Sequence, residues 1–272
     1  MSKCKLIFIG NSPSSGSTML ADLFDSIPRF ACGHETRIFS CTPLIVDFQN
    51  AKMKVAYRFA YRFERPWDFR NTIGLAYINK SNYGMSQEDC IELIKNSDSF
   101  EQFAEAFSDN YLEFRKDNRH VWVEKTPENI YNASLLLDKF PNSYFIQIIR
   151  NPLYVFNSLV THRNPIHSQY MAAATWYIDA AIGYSLKDHA RYICKRYEDV
   201  VQRPFELISE LASKFTTEYV APRIIEQRFV ENSHRQSMDR IESWSVKEYG
   251  AIENANDVMV GSSIQDSFYG FL

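Results

Sequence analysis

The first stretch of the sequence that could do chemistry is a loop rich in serine and glycine. After the apolar residues 6–9, the segment NSPSSGST leads into a helix-like stretch that begins at Gly16. Amides at a helix N-terminus bind anions, because they are donors at the positive end of the helix dipole, and the hydroxyls of Ser17 and Thr18 can add further bonds. The spacing predicts a site for one dianionic phosphate. The alternative interpretation is an ordinary serine- and glycine-rich turn at the start of a helix.

The same loop lacks the lysine that a nucleotide triphosphatase needs. In a Walker loop four residues separate the two glycines and a lysine follows the second glycine. In this chain five residues separate Gly10 from Gly16, and Ser17 stands where the lysine would be. The loop is therefore poorly equipped for a triphosphate with magnesium.

An arginine and a serine predict a second phosphate site. The segment FIQIIRNPLYVFNS is expected to end a strand at Arg150 and to place Ser158 eight residues later in a helix. The planar fork of arginine suits phosphate, and serine adds a donor. A lone arginine at a strand end is more often an ion-pair partner, but next to a phosphate loop it indicates a ligand with two separate phosphates.

The elements that must position these residues form an alternating pattern. Apolar, β-branched or aromatic runs predict strands, each followed by a helix-like stretch, and three of the helices begin at a proline, which suits a helix N-terminus. This alternation predicts a three-layer α/β sandwich with a central parallel sheet. The predicted strands are residues 5–10, 120–124, 143–150 and 191–197, and the predicted helices are residues 16–25, 127–140, 152–161 and 204–214.

A long segment separates the first two predicted strands. Residues 51–70 carry six basic and two acidic side chains, whereas residues 86–113 carry eight acidic and one basic. Both stretches look helical. They are either two solvated amphipathic helices or a substrate-covering insertion at about residues 51–118, since ligands of α/β proteins bind at the end of the sheet that such crossovers frame. We expect one domain over residues 1–272.

Composition excludes several classes of protein. The chain has 272 residues, of which 45% are hydrophobic, and a net charge of −3, so general nucleic-acid binding is not expected. No apolar run reaches the roughly 20 residues of a membrane span, and the first run is too short for a signal peptide. The five cysteines are scattered without a CxxC pair, which predicts reduced thiols, a cytoplasmic location and no metal site.

Taken together, these motifs resemble those of the sulfotransferases. PSSGST resembles their 5′-phosphosulfate loop, and RNPLYVFNS resembles their 3′-phosphate motif. The segment RYICKRYEDVV resembles their strand that ends in Tyr-Glu-Asp, with Tyr197 near the adenine. The resemblance implies a P-loop-like sulfotransferase fold and the cofactor 3′-phosphoadenosine 5′-phosphosulfate, with 3′,5′-adenosine bisphosphate as product and no metal. The cofactor-binding residues it implies are Ser14, Ser15, Gly16, Ser17, Thr18, Arg150, Ser158 and Tyr197.

Two further segments resemble the tyrosylprotein and bacterial branches of that family. CGHETR, residues 32–37, resembles CGEETR, whose glutamate is the general base, which implies that role for Glu35 and substrate binding for Arg37. VEKTPEN resembles the segment with the catalytic lysine, which implies that Lys125 stabilises the leaving phosphate. Glu35 and Arg37 could instead pair with each other, and Lys125 could be an ordinary surface lysine.

One departure concerns the basic residue of the family's 5′ loop, which is replaced by Ser14. Lys125, assisted by a nearby arginine, would then stabilise the leaving group. His162 is a candidate for substrate binding, although a lone histidine is usually structural. Arg235 resembles part of a late loop that covers the cofactor in relatives.

These inferences predict an enzyme that moves a sulfuryl group to a hydroxyl or amine of a small-molecule acceptor, without a nucleic-acid or membrane partner. A carbohydrate or a peptide tyrosine is the alternative acceptor, and a homodimer is one option for assembly. Two other classes stay open. A P-loop small-molecule kinase would show magnesium-dependent use of ATP, and a non-catalytic adenosine-phosphate binder would bind the bisphosphate without transferring anything.

Overall fold

A parallel sheet organises the chain in the computed structural model, which describes residues 6–60, 78–116, 118–158, 169–216, 219–231, 238–239 and 241. The sheet order is β2-β3-β1-β4-β5, and β3 pairs in parallel with both β1 and β2. The fold is therefore the α/β architecture with a central parallel sheet that the alternating pattern predicts. The strands are β1 (Leu6–Gly10), β2 (Phe30–Cys32), β3 (Val121–Lys125), β4 (Tyr144–Ile149) and β5 (Tyr192–Arg196).

The central strand β1 and its neighbour β3 are buried along their whole length. Strands of parallel sheets are covered on both faces, which is why the sequences LIFIG and VWVEK do not alternate between apolar and polar residues. Ile9 lies opposite Lys125 in the register, so this lysine ends β3 at the carboxyl edge of the sheet. We predicted a strand over residues 120–124; the observed strand is shifted by one residue and includes the lysine.

The chain divides into two compact units. Unit 1 comprises Met1–Gly10 and Pro28–Phe145, and unit 2 comprises Asn11–Ile27 and Ile146–Leu272.

Unit 1 is built around an aromatic cluster. Phe8 of β1 contacts Phe39 with ring centroids 4.8 Å apart, and Phe39 also contacts Trp122 of β3 at 5.6 Å. Each such ring removes a large apolar area from water, worth roughly 1.5–3 kcal/mol per fully buried side chain. The rest of the cluster comprises Phe100, Phe103, Phe107, Tyr111 and Phe140.

The acidic stretch of unit 1 forms two helices, not one. The first is closed at its start by a capping box between Ser86 and Asp89, and the second begins where Ser99 accepts a hydrogen bond from the amide of Gln102. The acidic side chains face outward while four aromatic residues of the second helix are buried in the core. The helices of unit 1 are α2 (Thr42–Val46), α3 (Phe48–Ala60), α4 (Lys80–Tyr83), α5 (Gln87–Asn96), α6 (Phe100–Arg115) and α7 (Ala133–Lys139), after a 3₁₀ helix (Pro127–Asn132). The basic stretch is helical as far as Ala60; its later residues lie outside the described part of the chain.

Unit 2 contains helices that follow β1, β4 and β5. Phe24 packs on Phe215 and Phe205 on Phe229, while Trp176 lies in a smaller cluster with Ile149 and Val155. The helices are α1 (Ser17–Asp25), α8 (Pro152–Ser158), α9 (Gln169–Ser185), α10 (Tyr197–Gln202), α11 (Pro204–Ala212) and α12 (Pro222–Glu231), of which α1 precedes β2 in the chain. Among the described residues, no helix combines the length and apolar character needed to cross a bilayer.

Candidate active site

The serine- and glycine-rich loop runs from Asn11 to Gly16, between β1 and α1. Its backbone enters the left-handed region twice, at Ser14 with φ 68° and at Gly16 with φ 97°. A Cβ atom on Gly16 would lie 2.3 Å from Cδ2 of Tyr197, which real contacts do not allow. Glycine is therefore required here for two reasons: the positive φ and the close approach of the tyrosine ring.

Several donors of this loop are suited to an anion. Ser15 is only 1% exposed, and its Oγ has no hydrogen-bond partner. Helix α1 begins at Ser17 without a side-chain cap, so its first amides are not satisfied by a capping residue. A buried hydroxyl without a partner is rare in folded proteins and calls for a missing ligand or water. The donor set fits a phosphate.

Arg150 follows β4 and lies against the same loop. Its Nη1 donates to the backbone oxygen of Ser14 at 3.1 Å, and its guanidinium carbon lies 4.5 Å from the ring centroid of Tyr197. The ring of Tyr154 lies on the guanidinium at 5.5 Å. A fixed positive charge therefore stands beside a loop whose own sequence has no basic residue.

The main chain around Arg150 is held by two buried side chains of unit 2. The indole Nε1 of Trp176 donates to the Arg150 oxygen at 3.0 Å, and the Asn151 amide donates to Oε1 of Glu198 at 3.0 Å. Ser158 lies in α8, within the predicted helix over residues 152–161, of which residues 159–161 lie outside the described part of the chain. Tyr197 is the first residue of α10 rather than the end of a strand, and it is 2% exposed.

Glu35 and Lys125 form an ion pair in unit 1. Nζ of Lys125 lies 2.9 Å from Oε1 of Glu35, and the two side chains are 8% and 26% exposed. The alternative in which Glu35 pairs with Arg37 is not observed: Arg37 approaches Glu128, with Nη2 3.9 Å from Oε1. The structure thus brings together the carboxylate and the ammonium to which the resemblance gives catalytic roles.

The segment before Glu35 is held by hydrogen bonds from a tyrosine and an arginine. The hydroxyl of Tyr83 donates to the backbone oxygen of His34, and Nη1 of Arg115 donates to the oxygen of Cys32 at 2.7 Å. A Cβ atom on Gly33 would lie 2.7 Å from the Tyr83 hydroxyl and 2.9 Å from that of Tyr111. Helices α4 and α6 therefore hold this segment by its backbone, which is why a glycine precedes His34.

A buried carboxylate lies behind the ion pair. Glu124 is 1% exposed, and it accepts hydrogen bonds from Thr36, Thr126 and Asn129. Burial raises the pKa of Glu124, and these hydrogen bonds act in the opposite direction. Sequence patterns did not single out this residue.

Two predicted site residues, His162 and Arg235, lie outside the described part of the chain. The functional roles of all the predicted site residues stay predictions, although the structure groups Glu35 with Lys125, and Ser14 and Gly16 with Arg150 and Tyr197. Five side chains that contact the predicted residues or their neighbours were not predicted: Thr36, Tyr83 and Glu124 in unit 1, and Tyr154 and Glu198 in unit 2. Among the described residues, no cluster of His, Cys, Asp or Glu could hold a metal ion.

Comparison with known proteins gives one family. The model of a family described as the sulfotransferase family matches residues 7–221. The protein-tyrosine sulfotransferase A of Caenorhabditis elegans is 24% identical over 157 residues, which is 58% of this chain and only 33% of that protein. The matched region thus spans about a third of the length of this curated relative.

Two solved structures share the fold. The sulfotransferase domain from the curacin biosynthetic pathway aligns with 82% of this chain and 77% of its own at 19% identity and a TM-score of 0.51. The sulfotransferase domain of the Synechococcus PCC 7002 olefin synthase aligns with 78% and 74% at 16% identity, also with a TM-score of 0.51. At these identities the likeness concerns the fold alone.

Proposed function

The chain belongs to the sulfotransferase family, and we propose that it moves the sulfuryl group of 3′-phosphoadenosine 5′-phosphosulfate to a hydroxyl or amine of a small-molecule acceptor. The observation that carries the proposal is the ion pair of Glu35 and Lys125, 2.9 Å apart at the carboxyl end of β3. A proton acceptor and a cation are the two groups that in-line sulfuryl transfer requires.

We propose the following roles in nucleotide binding. The hydroxyls of Ser15, Ser17 and Thr18 and the first amides of α1 would hold the 5′ phosphate. Arg150 and Ser158 would hold the 3′ phosphate. The support is the buried Ser15 hydroxyl without a partner and the guanidinium beside Ser14. Because Tyr197 is buried, its ring would support the loop by packing against Gly16 and the Arg150 guanidinium.

Glu35 would take the proton of the acceptor as the new bond to sulfur forms. The bond between sulfur and the bridging oxygen of the phosphate breaks in the same displacement, and the Lys125 ammonium stabilises the charge that develops on that oxygen. Fixed donors of this kind usually make the largest single contribution to catalysis. Lys125 would stabilise that charge without the basic residue that the family's 5′ loop usually carries, because Ser14 stands in that place.

We propose that residues 51–118 cover the acceptor within a single sulfotransferase domain. The support is the hold that α4 and α6 have on the segment before Glu35, through Tyr83 and Arg115. Arg37, which lies at the same segment, would then contact the acceptor. A small molecule is the proposed acceptor class, with a peptide tyrosine or a carbohydrate as the alternative.

The test is a transfer assay with cofactor carrying radiolabelled sulfate. Three small probes, p-cresol, benzyl alcohol and benzylamine, are compared with a tyrosine peptide and an oligosaccharide. We expect labelled product from at least one small probe, and about 100-fold slower turnover in Glu35→Ala with the affinity for 3′,5′-adenosine bisphosphate retained. No transfer to any acceptor, with the bisphosphate bound, would support a non-catalytic binder instead. Magnesium-dependent transfer from ATP would identify a kinase.

A further inference from the structure

We propose that Glu124 is a positioning residue that fixes Glu35 in its place beside Lys125. The inference rests on the proposed function, because it takes Glu35 as the general base. Glu124 does not touch the acceptor; it acts through Thr36 on the segment that carries Glu35.

The two segments run side by side and are joined at three levels. Glu35, Thr36 and Arg37 form one tripeptide, and Glu124, Lys125 and Thr126 form the other. Glu35 meets Lys125 through the ion pair at 2.9 Å, Thr36 meets Glu124, and the amide of Arg37 donates to Oγ1 of Thr126 at 3.2 Å. The ion pair is therefore one of three contacts that join the two tripeptides.

Glu124 is the centre of that structure. Its Oε1 accepts from the amide of Thr36 at 3.2 Å, from Oγ1 of Thr36 at 2.8 Å and from Oγ1 of Thr126 at 2.8 Å. Its Oε2 accepts from Nδ2 of Asn129 at 2.5 Å. Four donors converge on one buried carboxylate. An ionised glutamate can accept all four hydrogen bonds, because it has two acceptor oxygens and no proton to donate.

The two threonine hydroxyls link the carboxylate of Glu124 to backbone amides. Each threonine hydroxyl gives its proton to Glu124 and turns its lone pairs to an amide: Ile38 donates to Thr36 at 3.3 Å, and Arg37 donates to Thr126. These bonds fix the backbone on the carboxyl side of Glu35. Arg37 has a φ of 56° there, a value that residues other than glycine rarely adopt. On the amino side the backbone is held by Tyr83 at His34.

A glutamine at position 124 would keep the shape of the side chain but not this pattern. The side-chain nitrogen of glutamine is a donor. It would face either the threonine hydroxyls or Nδ2 of Asn129, which are donors as well, so the hydrogen bonds on that side would be lost. The hydroxyls would then turn, and the segment that carries Glu35 would lose its fixed orientation. Small displacements of a reacting group can slow catalysis by about 100-fold.

The test is the variant Glu124→Gln, measured alone and in the background of Glu35→Ala. Turnover is followed with p-cresol, or with water as acceptor if no organic probe is sulfated. If Glu124 acts by placing Glu35, Glu124→Gln lowers kcat about 10- to 100-fold in the wild-type background but less than about 2-fold in the Glu35→Ala background, because residues that act as a unit are not additive. Calorimetry should give unchanged affinity for 3′,5′-adenosine bisphosphate.

Thr36 provides the matched pair of variants. Thr36→Val removes the hydroxyl but keeps the branched shape, and it should lower kcat as Glu124→Gln does. Thr36→Ser keeps the hydroxyl and should retain most of the wild-type kcat. Asp138→Asn, a carboxylate change at an exposed position of α7 in the same unit, should leave kcat unchanged. If Glu124→Gln does not fold, the Thr36 pair carries the same test in both backgrounds.

Several results would overturn the inference. Equal losses from Glu124→Gln with and without Glu35 would show that it acts on something else, and unchanged kcat with a lower melting temperature would show a purely structural role. Failure of the proposed function has a different signature: Glu35→Ala would itself leave kcat unchanged, whatever Glu124→Gln does.

Discussion

Breaking the Glu35–Lys125 ion pair should reveal a coupling free energy that can be worked out from the structure. Two unit charges 2.9 Å apart interact by about 6 kcal/mol at an effective dielectric constant of about 20 and by about 1.4 kcal/mol in bulk water. Lys125 is nearly buried, but 26% of the Glu35 side chain is exposed, which brings the coupling toward the lower figure. We expect about 1–3 kcal/mol.

The assay is a double-mutant cycle on the free energy of unfolding. Glu35→Gln, Lys125→Met and the double variant are unfolded in urea at low and at high salt. The double variant should lose about 1–3 kcal/mol less than the sum of the two single variants, and the difference should change little with salt because Lys125 is buried. Additivity within about 0.5 kcal/mol would refute the pair as an energetic contact.

Three further predictions concern other parts of the chain. Gly16→Ala adds a Cβ atom 2.3 Å from the Tyr197 ring at a φ of 97°, so calorimetric melting should show a loss of about 2–4 kcal/mol, or roughly 5–15 °C in Tm; an unchanged Tm would contradict the packing of this loop. Ser15→Ala should change stability by less than about 0.5 kcal/mol, because the hydroxyl has no protein partner, but it should weaken 3′,5′-adenosine bisphosphate by about 10-fold in a calorimetric titration. Burial raises the pKa of Glu101, yet the hydrogen bond and charge of Lys139 bring it below the usual value. The stability from this pair is therefore present above the unfolded-state pKa of about 4.3 and lost as the pH falls through the folded-state value, so the stability difference between wild type and Glu101→Gln should shrink on acidification and not grow.

The sheet could be predicted because long apolar runs leave little choice. LIFIG and YFIQII are too apolar for loops and too short for buried helices, and both are strands in the structure. The strand β2 was missed because Phe30–Cys32 has only 3 residues, and its strand character comes from pairing with β3. No local pattern marks a strand whose stability is supplied by a neighbour distant in the chain.

The residues of the site were predictable to different degrees. The phosphate loop and the Arg150 motif have spacings with a physical meaning, whereas the role of Glu35 came from the resemblance alone. Glu124 gave no signal, because its partner Thr36 lies 88 positions away in the chain. Tyr197 was expected at a strand end near the adenine; its buried place under Gly16 depends on the missing Cβ atom of that glycine, which only the folded chain shows.

The proposed function requires above all that the protein recognises two separate phosphates on one nucleotide. The direct measurement is a calorimetric titration of the wild-type chain and of Arg150→Ala with 3′,5′-adenosine bisphosphate and with adenosine 5′-monophosphate. We expect the wild type to bind the bisphosphate at least about 10-fold more tightly than the monophosphate, since charge-assisted bonds to phosphate contribute about 1.5–3 kcal/mol, and we expect Arg150→Ala to abolish the difference. Equal affinity of the wild type for both nucleotides would contradict the proposed function.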